Sequence, residues 1–114
     1  VRQDLDRILD MIEMCELLIE HASRRDLLDS DPIVQAAAQR WVEVLGEAAS
    51  HVSDEVKSLT PAIPWREIVG TRLILAHAYF HIDRNIIGGI VEREIPRLRE
   101  NLTELRRTLE EREI

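Results

Sequence analysis

Arg72, His77 and Tyr79 fall within eight residues of one another, inside a mostly apolar run from Trp65 to Phe80 whose other polar members are Arg66, Glu67 and Thr71. Histidine exchanges protons near neutral pH, arginine holds a permanent charge in a bidentate fork, and tyrosine adds a phenolic hydroxyl. Such a set suits cleavage of an RNA phosphodiester by its own 2′-hydroxyl. That reaction needs proton transfer and stabilisation of developing phosphorane charge, but neither a metal nor a protein nucleophile. His77 would move the proton, a step typically worth about 10²–10⁴-fold, and Arg72 would supply the electrostatic share. The same residues have an ordinary structural reading, which spacing alone favours. Arg72 would then hold an acidic neighbour or a helix end, His77 would be a hydrogen-bonded core histidine, and Tyr79 a half-buried, hydrogen-bonded tyrosine.

At about 100° per residue, Arg72 and Tyr79 fall within about 20° of each other on a helix, whereas Arg72 and His77 are about 140° apart. One helix is therefore an awkward active site unless Arg72 wraps around it or the helix ends near His77. Two copies across a twofold axis would bring arginine and histidine from both chains into one cleft, so a homodimer is expected. His77 and His81, four apart, could instead hold a metal with Asp83 or Glu67. No glutamate follows His77 as it would in a zinc-protease helix and no cysteine lies nearby, so no metal is expected. His21 and His51, near the ends of polar segments, are read as solvated surface histidines. There is no glycine-rich phosphate loop and no local signature of a serine or cysteine nucleophile.

These residues need elements to position them, and the composition says which. The chain has 114 residues, 45% hydrophobic and 32% charged, enough for one domain over 1–114 with one core. Only 4 Gly and 4 Pro occur and no segment alternates with period two, so the fold class is all-α. Leu5, Ile8, Ile12, Cys15 and Ile19 mark one face of a first helix, with Asp4, Asp6, Glu13 and Glu20 largely on the other. The polar segment Arg24 to Asp29 breaks the pattern. Asp31 as N-cap and Pro32 at the first helical position open a second helix with a stripe of Ile33, Ala37, Trp41, Val44 and Ala48, and with Gly46 as a packing glycine. Ser53 and Asp54 offer another cap, and Thr60, Pro61 and Pro64 mark a connection. The helix from Trp65 to Phe80 follows and is expected to sit deepest. Asp83 would cap a further helix through Asn85, Ile86, Ile87 and Val91, bent or closely packed at Gly88-Gly89. Ile95, Leu98, Leu102, Leu105 and Leu109 define the last helix. The expected architecture is an up-and-down bundle of four or five helices.

The 15 Lys+Arg against 22 Asp+Glu give a net charge of −7, which argues against holding nucleic acid through bulk positive charge; DNA is not an expected partner. Cys15, the single cysteine, cannot form an intrachain disulfide, and a reducing, cytoplasmic setting fits it. Asp10, Glu13 and Glu16 interrupt the most apolar part of the first helix, so no membrane association is expected.

Three segments together carry a family resemblance: Leu45-Gly46-Glu47-Ala48-Ala49, then Ile63-Pro64-Trp65-Arg66, then Arg72-Leu73-Ile74-Leu75-Ala76-His77-Ala78-Tyr79-Phe80 with Asp83 following. In order and spacing they resemble the HepT-like toxins of the HEPN superfamily, over almost the whole chain. The resemblance implies a small helical bundle that dimerises and acts as a metal-independent endoribonuclease. It also implies the toxin half of a prokaryotic toxin–antitoxin pair, whose cognate antitoxin is a minimal nucleotidyltransferase. Arg72 and His77 would be the catalytic pair, and Tyr79 the hydroxyl that the antitoxin adenylylates. Phosphates added beside Arg72 would occupy the place meant for the RNA phosphate. With this acidity, RNA would be drawn to a local patch of Arg66, Arg72 and Arg84, while the negative charge suits a protein partner of opposite sign. Leu73 and Ala78 depart from the family, which often has a polar residue at each place. A catalytically silent HEPN-like module that binds a partner protein or nucleotide, or serves in dimerisation, is therefore the alternative.

Overall fold

A computed structural model of the chain describes residues 2–77 and 88–112, and of Arg2 and residues 72–77 the backbone alone. Its elements are α1 (Arg2–Ala22), α2 (Arg25–Ser30), α3 (Pro32–Ser50), α4 (Asp54–Lys57), α5 (Trp65–His77), a π-helical turn (Ile90–Glu94) and α6 (Ile95–Arg112). The described residues contain helices and no strand, as the absence of period-two alternation requires. α1 packs on both α3 and α6, and α3 on α5, so α1 and α3 form the centre of the bundle. No helix among the described residues is long and apolar enough to cross a membrane.

Because α1 has neighbours on two sides, its buried face is wider than the predicted stripe. Ile8, Met11, Ile12, Cys15, Leu18 and Ala22 are buried, while Leu5 and Ile19 are only partly so. Asp4 is a correction. It is buried, not on the outer face, and accepts from the Ser53 N–H at 2.8 Å and from the Ser53 hydroxyl at 2.8 Å. Ser53 Oγ also accepts from the Val56 N–H at 3.3 Å, so the cap of α4 and the first turn of α1 share one hydroxyl.

The segment from Arg24 to Asp29 is also not a simple break. It holds most of α2, because Leu28 is buried and Ser30 Oγ donates to the Asp26 carbonyl at 2.6 Å. Asp31 and Pro32 open α3 as predicted, with Asp31 Oδ1 accepting from the Ile33 N–H at 2.9 Å.

The buried face of α3 is rotated from the predicted stripe. Ala38, Val42, Leu45, Gly46, Ala48 and Ala49 are inside, Ala37, Trp41 and Val44 lie at the margin, and Ile33 is 79% exposed. Small side chains at Ala38, Gly46 and Ala49 let a helix with neighbours on two sides approach them closely, and this outweighs burial of the bulkier Ile33 and Trp41.

The expectation that the helix from Trp65 sits deepest is overturned within the described side chains. Of residues 65–71 only Trp65 is buried; Ile68 and Val69 are partly covered, and Arg66 and Glu67 are exposed. The deep positions belong to α1, α3 and α6. Gly88 and Gly89 are buried and helical, and the expected irregularity takes the form of the π turn that follows them. The Asp83 cap and Asn85, Ile86 and Ile87 lie outside the described residues. α6 buries Ile95, Leu98, Leu102, Leu105 and Leu109 as its three- and four-residue spacing dictates.

Candidate active site

The helix that carries the motif is fixed at its start. Ile63, 2% exposed, pins the connection from α4, and the Trp65 N–H donates to the Ile63 carbonyl at 2.9 Å. The Ile68 N–H then donates to the Pro64 carbonyl at 3.1 Å, closing the first turn that the proline preorganises. The Trp65 ring is covered on one side by the Lys57 ammonium, 6.0 Å from its centroid. Thr71 Oγ1 donates back to the Glu67 carbonyl at 2.8 Å.

α5 remains helical through His77, so the register of both motif positions follows from its start. Arg72 is seven residues beyond Trp65, within about 20° of the register of that buried ring. His77 is seven beyond Gly70 and eleven beyond Arg66, within about 20° of each. Arg66 is exposed, and a Cβ placed on Gly70 would meet nothing within 4 Å. The two motif positions thus continue different faces, one buried and one open, as the angular argument from the sequence requires. The side chains of Arg72 and His77 lie outside the described residues, as do Tyr79 and Arg84 entirely.

Arg66 is an exposed cation with no ion pair among the described residues, and so is available to an anion. His21 and His51 are surface residues, each with its side chain 53% exposed. His21 lies against Trp41 at 5.8 Å between ring centroids, and His51 Nε2 is 3.1 Å from Glu47 Oε1. Among the described residues no group of three His, Cys, Asp or Glu side chains could hold a metal ion; the His77–His81 pair lies outside them.

A groove of about 340 Å³, with no counterpart in the spacing of the residues, lies between α3, α5 and the start of α6. Val42, Leu45, Ile68, Ile95 and Leu98 line it, with Glu67, Thr71 and Glu94 as its polar members. Its walls come from three separate stretches of chain, and no single periodicity could have revealed it. Glu67 stood out in the sequence as a candidate metal ligand and not as part of a groove.

The family described as ribonuclease HepT-like matches residues 8–105 of the chain. The chain is similar to a probable ribonuclease HepT of Thermococcus cleftensis, 35% identical over 103 residues, covering 90% of this chain and 93% of that protein. It is also similar to a putative RNase of Caldanaerobacter subterraneus, 33% identical over 83% of this chain and 87% of that one. A putative RNase of Methanocaldococcus jannaschii is 29% identical over 83% of this chain and 89% of its own length. No solved structure matches.

Proposed function

This chain belongs to the HepT-like ribonuclease family, and on that premise we propose that it is a metal-independent endoribonuclease that works as a homodimer. His77 takes the proton from the 2′-hydroxyl, whose oxygen attacks the adjacent phosphorus as the bond to the 5′-oxygen of the next nucleotide breaks. The leaving oxygen takes up a proton from water, and His77 returns its own to the solvent. The products are a 2′,3′-cyclic phosphate and a 5′-hydroxyl end. Arg72 stabilises the charge that builds on the non-bridging oxygens. Arg66 and Arg84 draw the RNA phosphates to a chain whose net charge is otherwise unfavourable.

The observation that carries this reading is the register of α5. Arg72 continues the Trp65 edge and His77 the open Arg66–Gly70 face, within residues that the family match covers. A single helix divides the pair, and two copies related by a twofold axis reunite it. Gly70 supports that pairing. A glycine inside a helix costs about 1 kcal/mol relative to alanine, and no neighbour within the described chain fills the space a Cβ would take.

In the cell, the protein serves as the toxin of a toxin–antitoxin pair. Its antitoxin is a minimal nucleotidyltransferase that adenylylates Tyr79 and so sets phosphates beside Arg72. Leu73 and the charge of −7 favour a second reading, a silent HEPN-like module that binds its partner without cleaving.

One assay separates the two readings: cleavage of total cellular RNA in EDTA, by protein whose mass shows no adenylyl groups. The wild type cleaves, and Arg72→Ala and His77→Ala each lower the rate by about 10²-fold or more with fold and dimer intact. Cleavage retained in both variants contradicts the assignment. An inactive, unmodified, dimeric wild type establishes the silent module.

A further inference from the structure

We propose that the groove between α3, α5 and α6 docks a protein partner that presents an apolar side chain flanked by lysine or arginine. Its link to control of the nuclease rests on the reading above, but the docking itself does not.

The floor of the groove is apolar, and part of it is open to water, since Ile68 and Ile90 are only partly buried. At about 340 Å³ it is near the lower end of the size range of ligand pockets, enough for a side chain and its neighbours rather than a whole helix. Exposed apolar surface alone would not identify an occupant, but the carboxylates do. Glu67 on α5 and Glu94 at the end of the π turn both line the groove, and both residues are exposed. Neither carboxylate has an ion pair or hydrogen bond among the described residues. Several other acidic side chains have found cations, Asp10 with Arg7, Glu43 with Arg40, Glu92 with Arg25 and Glu110 with Arg106, whereas Glu13 and Glu100, which line no groove, have none among the described residues.

Two unpaired carboxylates beside an apolar floor repel an RNA phosphate and attract a cationic polypeptide. A second copy of this chain is a poorer match for the groove. That copy carries the same net charge of −7 and would bring its own acidic surface against the two carboxylates. The excess of acidic residues over the chain as a whole adds long-range attraction for the same kind of partner.

The test uses the full chain and two fluorescein-labelled peptides. One has leucine at every third or fourth position and lysine between; the other has glutamate in place of lysine. By fluorescence anisotropy the lysine peptide binds at least about tenfold more tightly than the glutamate peptide, and more weakly as salt rises. A lysine peptide with serine for leucine does not bind.

The double variant Glu67→Lys, Glu94→Lys abolishes the preference. Asp10→Lys with Glu13→Lys on α1, which changes the net charge equally, leaves it in place. Failure of the lysine peptide to bind, equal binding of both peptides, or the same loss in both double variants overturns the proposal. So does competition by a single-stranded RNA, which would put the groove on the substrate path, or loss of the dimer in the Glu67/Glu94 variant, which would give the groove to a second copy. Binding is read without cleavage and is repeated on His77→Ala, so an inactive nuclease and an unoccupied groove give different results.

Discussion

Asp4 is the charged side chain most fully withdrawn from water among the described residues, at 8% exposure, and its carboxylate is matched to Ser53. Asp4→Ala leaves the Ser53 N–H without that acceptor, and destabilisation of about 1–3 kcal/mol is expected in urea unfolding. Ser53→Ala removes part of the same pair, so the double variant should lose less than the two single losses added together. Periodicity placed Asp4 outside because it sorts residues by type. The residue that makes its burial tolerable is 49 positions away, beyond the reach of any local pattern. Cys15, by contrast, was legible as part of the first apolar face and is 0% exposed. Burial pushes its thiol up from 9.0 to about 12, with the Arg99 charge opposing. Between those values the folded state keeps a proton that the unfolded state has lost, so rising pH favours unfolding. Stability should fall on going from pH 9 towards 12, and less steeply in Cys15→Ala, as urea midpoints at each pH would show. Iodoacetamide should leave the native thiol unmodified and label it on unfolding.

Legibility at the scale of elements followed how strongly each helix sorts its residues. In α6 bulky leucines alternate with charged side chains, and every predicted core position is buried. In α3 Trp41 lies at the margin and Ile33 is exposed, while alanines and a glycine are inside with Val42 and Leu45, because alanine carries a weak hydropathy signal but permits close packing. Gly88-Gly89 announced an irregularity without its form, since a π turn depends on how the helix is packed. Gly70 of α5 now separates two roles. With nothing within 4 Å of a Cβ there, Gly70→Ala should stabilise the monomer fold by up to about 1 kcal/mol. Gly70→Trp should sediment as a monomer, because its bulk would face the second copy of the proposed dimer, with its circular dichroism spectrum as the check that it remains folded. A Gly70→Trp protein that remains dimeric would move the interface away from this face.

For the molecule as a whole, the all-helical class was readable from composition and the lack of alternation, and the family from three segments spread along it. The register of positions 72 and 77 on α5 was readable as well, because a helix converts spacing directly into angle and its first turns fix the register of all that follows. The groove was not, since it exists only where α3, α5 and the π turn meet. With a net charge of −7, the proposed nuclease has to hold RNA at a local patch rather than through overall charge. The chemistry of the cut ends tests the nuclease most directly. A defined RNA is treated in EDTA with the unmodified dimer or with His77→Ala, and the products are identified by mass spectrometry. Wild type should leave 2′,3′-cyclic phosphate and 5′-hydroxyl ends, and His77→Ala should leave the RNA whole. Ends bearing a 5′-phosphate, or cyclic phosphate formed as fast by His77→Ala, would contradict attack by the 2′-hydroxyl with His77 as its base.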